Sequence, residues 1–453
     1  MDSAGIWTRY PGGIGGSGVG DGCAAAPVVD DAEGAASDGV GEAENTAAGA
    51  AVEGATDERS SRAPMKTAAM PITETMRDMA ILEAHRMPAD RATVAARRKR
   101  ASALLKERGL AALLLSPGSD LAYFSGYRIF GSERLTCLVL AADGAATLVL
   151  PKLESPRGQH AAPDLPQRTW EETDDPYAIV ASLLSGKGDV AVADQMWALF
   201  TLRLQKAISG RSFVLASTVT RDLRMRKDAF ERDALRAVSA SADRAYAKML
   251  GHEFAGKRES EIGAELAALL KEEGHDEVTF TIVASGPNGA SPHHETGERR
   301  IESGDTVVLD FGGTREWYCS DITRTVHVGN PDAETVKVHD AVRRSQEAGY
   351  AAAKSGATAE SVDAASRTVI DDAGYGKFFI HRTGHGIGLD GHEHPYLVTG
   401  NSERLEPGMA FSIEPGIYLP GRFGVRIEDI AMIGDDGSVE PLNRADHGLA
   451  IVR

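Results

Sequence analysis

Two aspartates eleven residues apart, Asp310 and Asp321, lie in the run TVVLDFGGTREWYCSDITRTVHV, residues 306 to 328. Its two strand-like halves surround a glycine-containing turn, which predicts a β-hairpin. A carboxylate inside VVLDF is unusual, because an unpaired buried charge costs on the order of several kcal/mol unless a cation or donors compensate it. Two facing carboxylates also repel, and a bound metal ion removes both penalties. Taken alone, the hairpin fits a pair of surface aspartates beside a turn better. Two further apolar strands change that balance: GMAFSIEPGIYL carries Glu414, and GVRIEDIAMI carries Glu428 with Arg426 on the same strand face.

The stretch HRTGHGIGLDGHEHP, residues 381 to 395, holds four of the chain's thirteen histidines among glycines too frequent for a good helix. At least some of His381, His385, His392 and His394 must face a common target. One imidazole from this set turns four carboxylates into a ligand set for two divalent ions. Hard oxygen ligands with one nitrogen favour Mn2+, with Co2+, Zn2+ or Fe2+ as alternatives, over a thiolate-rich zinc site. Cys319 reads as a small buried hydrophobe.

The elements that must position these groups begin near Asp228, where Asp followed three residues later by Glu231 predicts a capping box and a long helix ending at Gly251. A second helix, SEIGAELAALLKEEG, stops at Gly274, with Ile262, Leu266, Leu269 and Leu270 on one face. Upstream, residues 76–222 alternate helical and strand-like runs and read as a non-catalytic α/β domain. The helix RATVAARRKRASALLKERG stops at Gly109, and AALLL, LTCLVLA, TLVLP, DVAVAD and SFVLAS follow as strands. The basic run from Arg97 to Arg100 reads as a solvated helix face. Residues 223–453 form the expected catalytic domain.

Residues 1–75 read as a disordered acidic tail; its first 64 residues carry eleven acids against three bases and neither Leu nor Phe. Its GIGGSG spells a dinucleotide fingerprint but lacks the flanking strand and helix that a phosphate loop needs. Met65, Met70 and Met76 are each candidate starts. The net charge of −17 argues against nucleic-acid and membrane surfaces, leaving small substrates or peptides. Cys23, Cys137 and Cys319 make neither a disulfide framework nor a zinc finger, so the cytoplasm is the expected location. No apolar run is long enough to span a bilayer, and no secretory signal opens the chain.

Five ordered motifs, LDFGG, SDITRT, GHGIGLDGHE, SIEPGIY and VRIED, with seven residues from His385 to His392, resemble the metallopeptidases of the pita-bread fold. That family includes Xaa-Pro dipeptidases (prolidases), aminopeptidase P and methionine aminopeptidase. The resemblance implies an α/β (α+β) architecture, with an N-terminal α/β domain and a C-terminal pita-bread domain of mixed, largely antiparallel curved sheet flanked by helices. It also implies Asp310, Asp321, His385, Glu414 and Glu428 as metal ligands. Asp321 and Glu428 would bridge two ions, whose shared water becomes hydroxide at neutral pH. His293, in ASGPNGASPHHETGERR, and His392 would hold the substrate carbonyl and its oxyanion, and Glu414 would carry a proton to the leaving proline nitrogen. Arg426 would orient a ligand carboxylate, and His381 would lie near the substrate or make a structural hydrogen bond. His294 and His394 read as solvated loop histidines.

The implied activity is hydrolysis of the bond preceding proline, most directly in Xaa-Pro dipeptides, by a homodimer. Aminopeptidase P activity on longer Xaa-Pro-Yaa peptides is the alternative, because Tyr396 stands where some prolidases carry an arginine for the dipeptide's carboxylate. Arg404 and Arg422 are candidates to take that grip. A creatinase-like member or a silent peptide-binding module of the same fold is disfavoured by the intact ligand set. A non-peptide hydrolase stays open.

Overall fold

The computed structural model describes residues 87–453, so the tail and the first residues of the upstream domain lie outside the described residues. The first helix, α1 (Arg91–Glu107), starts where the Asp90 side chain accepts from the Thr93 amide (2.7 Å). It ends before Gly109, whose φ of 67° is left-handed. There follow β1 (Leu110–Leu115), α2 (Ser119–Ser125), β2 (Cys137–Ala141), β3 (Ala146–Pro151), α3 (Ser155–Ala161), β4 (Gln167–Trp170), α4 (Pro176–Ser182), β5 (Asp189–Val192), α5 (Ala198–Ala207), β6 (Phe213–Leu215) and α6 (Ser217–Met225). The strands form one mixed sheet in the order β4-β3-β2-β1-β5-β6.

Alternation along β1 sorts side chains onto two cores. Leu113 and Leu115 pack with Tyr123, Phe124 and Val219, while Leu114 packs with Val190, Phe200 and Leu204 on the opposite face. Strand β4 has no counterpart among the expected strands, because a four-residue strand burying only Trp170 shows no readable period. Arg97, expected on a solvated helix face, is instead fully buried. Its guanidinium pairs with Asp228 (2.8 Å) and Glu231 (3.7 Å) and stacks on the Tyr123 ring (4.1 Å). Lys99 and Arg100 do face solvent.

A short link, residues 226–228, leads to α7 (Ala229–Met249), which opens with the predicted capping box of Asp228 and Glu231. Then come α8 (Glu259–Glu272), β7 (Glu277–Ser285), β8 (Thr306–Arg315), β9 (Tyr318–Cys319), β10 (Ile322–Val328), α9 (Ala333–Ala352) and α10 (Ala359–Asp372). The remaining strands are β11 (Gly384–Gly386), β12 (Glu393–Leu397), β13 (Ala410–Ile413), β14 (Gly416–Leu419), β15 (Phe423–Arg426), β16 (Asp429–Ile433), β17 (Val439–Pro441) and β18 (Ala450–Val452). One sheet runs β18-β10-β8-β7 with β9 against β8, a second runs β12-β11-β13-β16-β17, and β14 pairs with β15. Among these pairs only β10 with β18 is parallel.

Helices back each sheet. Tyr246 and Leu266 from α7 and α8 pack on Leu309 and Val326, and Val362 of α10 packs on Phe411 and Ile413. The α9 residues Val338 and Val342 cover Ile417 and Val425. Among the described residues no helix is long and apolar enough to cross a membrane.

The hairpin of residues 306 to 328 forms, with Asp310 opposite Thr323, but its glycines do not make the turn. Glu316 and Trp317, at φ 51° and 72°, turn the chain instead. Gly312 and Gly313 lie inside β8, where a Cβ would collide with the carbonyl oxygens of Ser320 and Glu277. The expected strand GVRIEDIAMI is two strands, broken at Ile427 and Glu428, and Glu414 likewise occupies the break between β13 and β14.

Candidate active site

Those breaks matter, because a strand interrupted by one or two residues can aim a side chain out of the regular alternation. Glu414 and Glu428 leave their breaks toward the same cleft that receives Asp310 from mid-β8, Asp321 from the residue before β10 and His385 from the centre of β11. Three overlapping triads result: Asp321, His385 and His392; His385, Glu414 and Glu428; Asp310, Asp321 and Glu428. Within each, one ligand-capable atom per residue lies within 4.8 Å of the others. The cleft has a volume of about 710 Å³ and is also lined by His293, His381, Arg382 and Arg426.

The electrostatics of this cluster ask for added positive charge. Burial pushes Asp321 well above the usual carboxylate range, and Asp310 and Glu414 push it further. Burial raises Glu428 in the same way, reinforced by Asp321 and Glu414, and it raises Glu414 against the opposing pull of Arg426. Asp310 Oδ1 is buried with no hydrogen-bond partner among the described residues. Four acids facing two arginines, of which only Arg426 pairs with one of them, and one carboxylate oxygen orphaned, fit divalent cations.

The imidazole is prepared to join them. Burial, then the neighbouring His392, brings the His385 ring down to about 3. Its Nδ1 donates to the Gly386 carbonyl (3.1 Å), which leaves the Nε2 lone pair free, 3.4 Å from Glu414 and 3.7 Å from Asp321. Gly384 and Gly386 flank it because the neighbouring strands approach closely. A Cβ at either would strike the Ser412 or His394 carbonyl oxygen.

Arg426 organises the far wall. Its Nη2 donates to Asp310 Oδ2 (2.6 Å), its Nε to Thr323 Oγ1 (3.1 Å) and its Nη1 to the Tyr418 hydroxyl (2.8 Å). Thr323 in turn donates to Glu428 Oε2 (2.6 Å). The Tyr418 hydroxyl meets His381 Nε2 (2.8 Å), and His381 Nδ1 donates to the Arg382 carbonyl (2.7 Å). Burial, then Arg426, takes the His381 ring down to about 4.

A model of metallopeptidase family M24 matches residues 232–435, and one of the creatinase/prolidase N-terminal domain matches residues 97–226. The probable dipeptidase PepE of Mycobacterium tuberculosis is 47% identical over 357 residues, which is 78% of this chain and 95% of the relative. The chain belongs to metallopeptidase family M24. The Xaa-Pro dipeptidase of Pyrococcus horikoshii is 32% identical over 335 residues, 74% of this chain and 93% of that one. The crystal structure of dipeptidase PepE from Mycobacterium ulcerans superposes with a TM-score of 0.78 at 45% identity, covering 80% of this chain and 99% of the other. This M24 peptidase therefore has the expected fold and is a metal-dependent hydrolase.

Some residues nominated from the sequence lie elsewhere in the M24 peptidase. His294 is no solvated loop residue, because its Nε2 bonds the buried Glu259 carboxylate (2.8 Å). His394 is half-buried against the Tyr396 ring (4.7 Å). Arg404 donates to the Gly356 carbonyl and Arg422 forms a two-pronged pair with Glu334, and neither lines the cleft. Thr323, Tyr418 and Arg382 join the site without having been nominated. Arg382 stacks over Tyr396 (4.4 Å), points Nη2 at His392 Nδ1 (3.3 Å) and has no carboxylate within 4.0 Å among the described residues.

Proposed function

We propose that this chain hydrolyses the peptide bond preceding proline and prefers Xaa-Pro dipeptides. The observation that carries the reading is the overlap of three acid and imidazole triads in one cleft with His293 and His392. Asp310, Asp321, His385, Glu414 and Glu428 would hold two divalent ions, Mn2+ first by the hardness of the donor set, with Co2+, Zn2+ or Fe2+ as substitutes. When bound, such a pair activates water at neutral pH and polarises the scissile carbonyl.

The chain's own groups do the rest. His293 and His392 donate to the carbonyl oxygen as it gains charge. Glu414 accepts the proton of the attacking water and delivers it to the proline nitrogen, which must be protonated to leave. Arg426 holds Asp310 in place, and through Tyr418 it fixes the His381 ring at the cleft wall.

Dipeptide preference is supported by Arg382, a guanidinium with no carboxylate partner among the described residues, in a cleft that holds four acids. A Xaa-Pro dipeptide ends in a carboxylate one residue from the scissile bond, and this cation answers that charge. Tyr396 favours a second reading, aminopeptidase P, because the arginine of some prolidases is missing there. We further infer a homodimer in the cytoplasm, where the unpaired thiols of Cys137 and Cys319 are at home. Metal-loaded protein offered Ala-Pro and Ala-Pro-Ala should turn over the dipeptide faster; exclusive turnover of the tripeptide would overturn the dipeptidase reading.

A further inference from the structure

Every residue lining the cleft lies at or beyond Thr279, so the N-terminal half supplies none of them. It nevertheless grips the loop that carries His392. Glu393, next in the chain, accepts from Arg224 in the last turn of α6 and from Lys227 in the link to α7, whose side chain is wholly buried. Asp390, two residues before His392, accepts from the same Arg224 guanidinium (2.7 Å) and from Ser119 Oγ at the start of α2 (2.5 Å). Asp120 completes the cluster by accepting from Arg224 Nη1 (2.9 Å) and Thr220 Oγ1 (3.0 Å). Lys227 Nζ also donates to the Arg224 carbonyl (2.9 Å), which ties the two cations together. The His392 ring is exposed; it lies against the ring of His385 (centroids 3.8 Å apart), meets Arg382 through Nδ1 and has Asp321 close by.

We propose that Arg224, through Glu393 and Asp390, and Lys227, through Glu393, are positioning residues for His392, so that the N-terminal half and the link after it set the geometry of a site they do not line. Two cations stand against three carboxylates. Without Arg224, Asp390 and Glu393 lose their shared partner and repel one another on either side of His392. The intervening Gly391 has no side chain with which to resist, and nothing lies within 4 Å of where its Cβ would be. A ring that must meet a developing oxyanion at hydrogen-bond distance loses on the order of 10²-fold in rate when displaced by ~1 Å.

This rests on the reading of His392 as a donor to the substrate carbonyl, and the test separates the two. The metal-loaded full chain is assayed on Ala-Pro as wild type, Arg224→Gln, His392→Ala and the double variant. Arg224→Gln lowers kcat about 10²-fold with KM and bound metal unchanged, and Arg224→Lys recovers part of the loss. In the His392→Ala background the same change costs less than about 3-fold, because the group it positions is already gone. Ser119→Ala removes one neutral donor from Asp390 and leaves every charge in place. It gives a smaller kcat loss that also vanishes in the His392→Ala background, and it serves if Arg224→Gln does not fold. Losses that multiply in the double variants, or that track loss of metal, overturn the proposal. Full activity of His392→Ala overturns the reading of His392 itself.

Discussion

Asp321, His385 and Glu428 each belong to two of the three triads, so removing any one of them dismantles more than one set of ligand atoms. Asp321→Ala should abolish bound metal and Ala-Pro hydrolysis together, a loss beyond the ~10–100-fold typical when a residue that merely supports a ligand is removed. Metal analysis beside the assay checks this, and undiminished metal at full activity would refute the two-ion reading. Arg382→Ala should raise KM for Ala-Pro by about 10–100-fold, the worth of a charge-assisted pair, and raise it far less for the amide Ala-Pro-NH2, which loses only the contact of Arg382 with His392. An equal effect on both substrates would remove Arg382 from the carboxylate. The four carboxylates stood out because a charge in an apolar run demands a partner wherever the chain folds, whereas the choice of His385 among four histidines rested on the family resemblance. Thr323, Tyr418 and Arg382 did not stand out, since each owes its place to residues brought close only by tertiary structure, as Thr323 does to Glu428 105 positions away.

At the scale of elements, the two histidines nominated for the carbonyl ride on loops held from outside the cleft. The His392 loop hangs on the ion cluster around Arg224. The His293 loop hangs on Glu259, at the start of α8, which accepts from Ser285 N and Oγ (both 2.7 Å), Asn288 (3.0 Å), His294 (2.8 Å) and Gly297 N (3.3 Å). Helices and most strands were readable from their periods and caps, Asp228 with Glu231 being the clearest. The strand breaks at Glu414 and Glu428 were not, because the apolar run continues across them. Gly384→Ala tests the close strand approach beside His385. The added methyl meets the Ser412 carbonyl, and thermal melting should show a loss of about 1–3 kcal/mol, the usual range for overpacking. An unchanged melting temperature would mean that the strands can separate.

For the molecule as a whole, acid stability has a candidate determinant that does not line the cleft. Burial, then Arg343, lowers the His339 imidazole from its ordinary 6.5 to about 4. The native state therefore favours the neutral ring. Its contribution is complete above pH 6.5 and is lost as the pH falls toward 4, where the unfolded chain takes up a proton that the folded one refuses. At pH 5 the loss is about 2 kcal/mol by linkage. His339→Gln should shrink the drop in melting temperature between pH 7 and pH 5 relative to wild type, and an identical drop would exonerate the residue. The acidic net charge gave no hint of this, since it is the burial of one ring that sets the direction.

The burial of Arg97 against Asp228 and Glu231 has a bearing on ancestry. The two family models meet between residues 226 and 232, a seam at which recombination would seem free to exchange one N-terminal half for another. The seam is electrically stitched: an incoming half without a cation at the place of Arg97 would strand two acids at the first turn of α7. Only halves that bring that arginine, or that join a C-terminal half without those acids, are interchangeable parts.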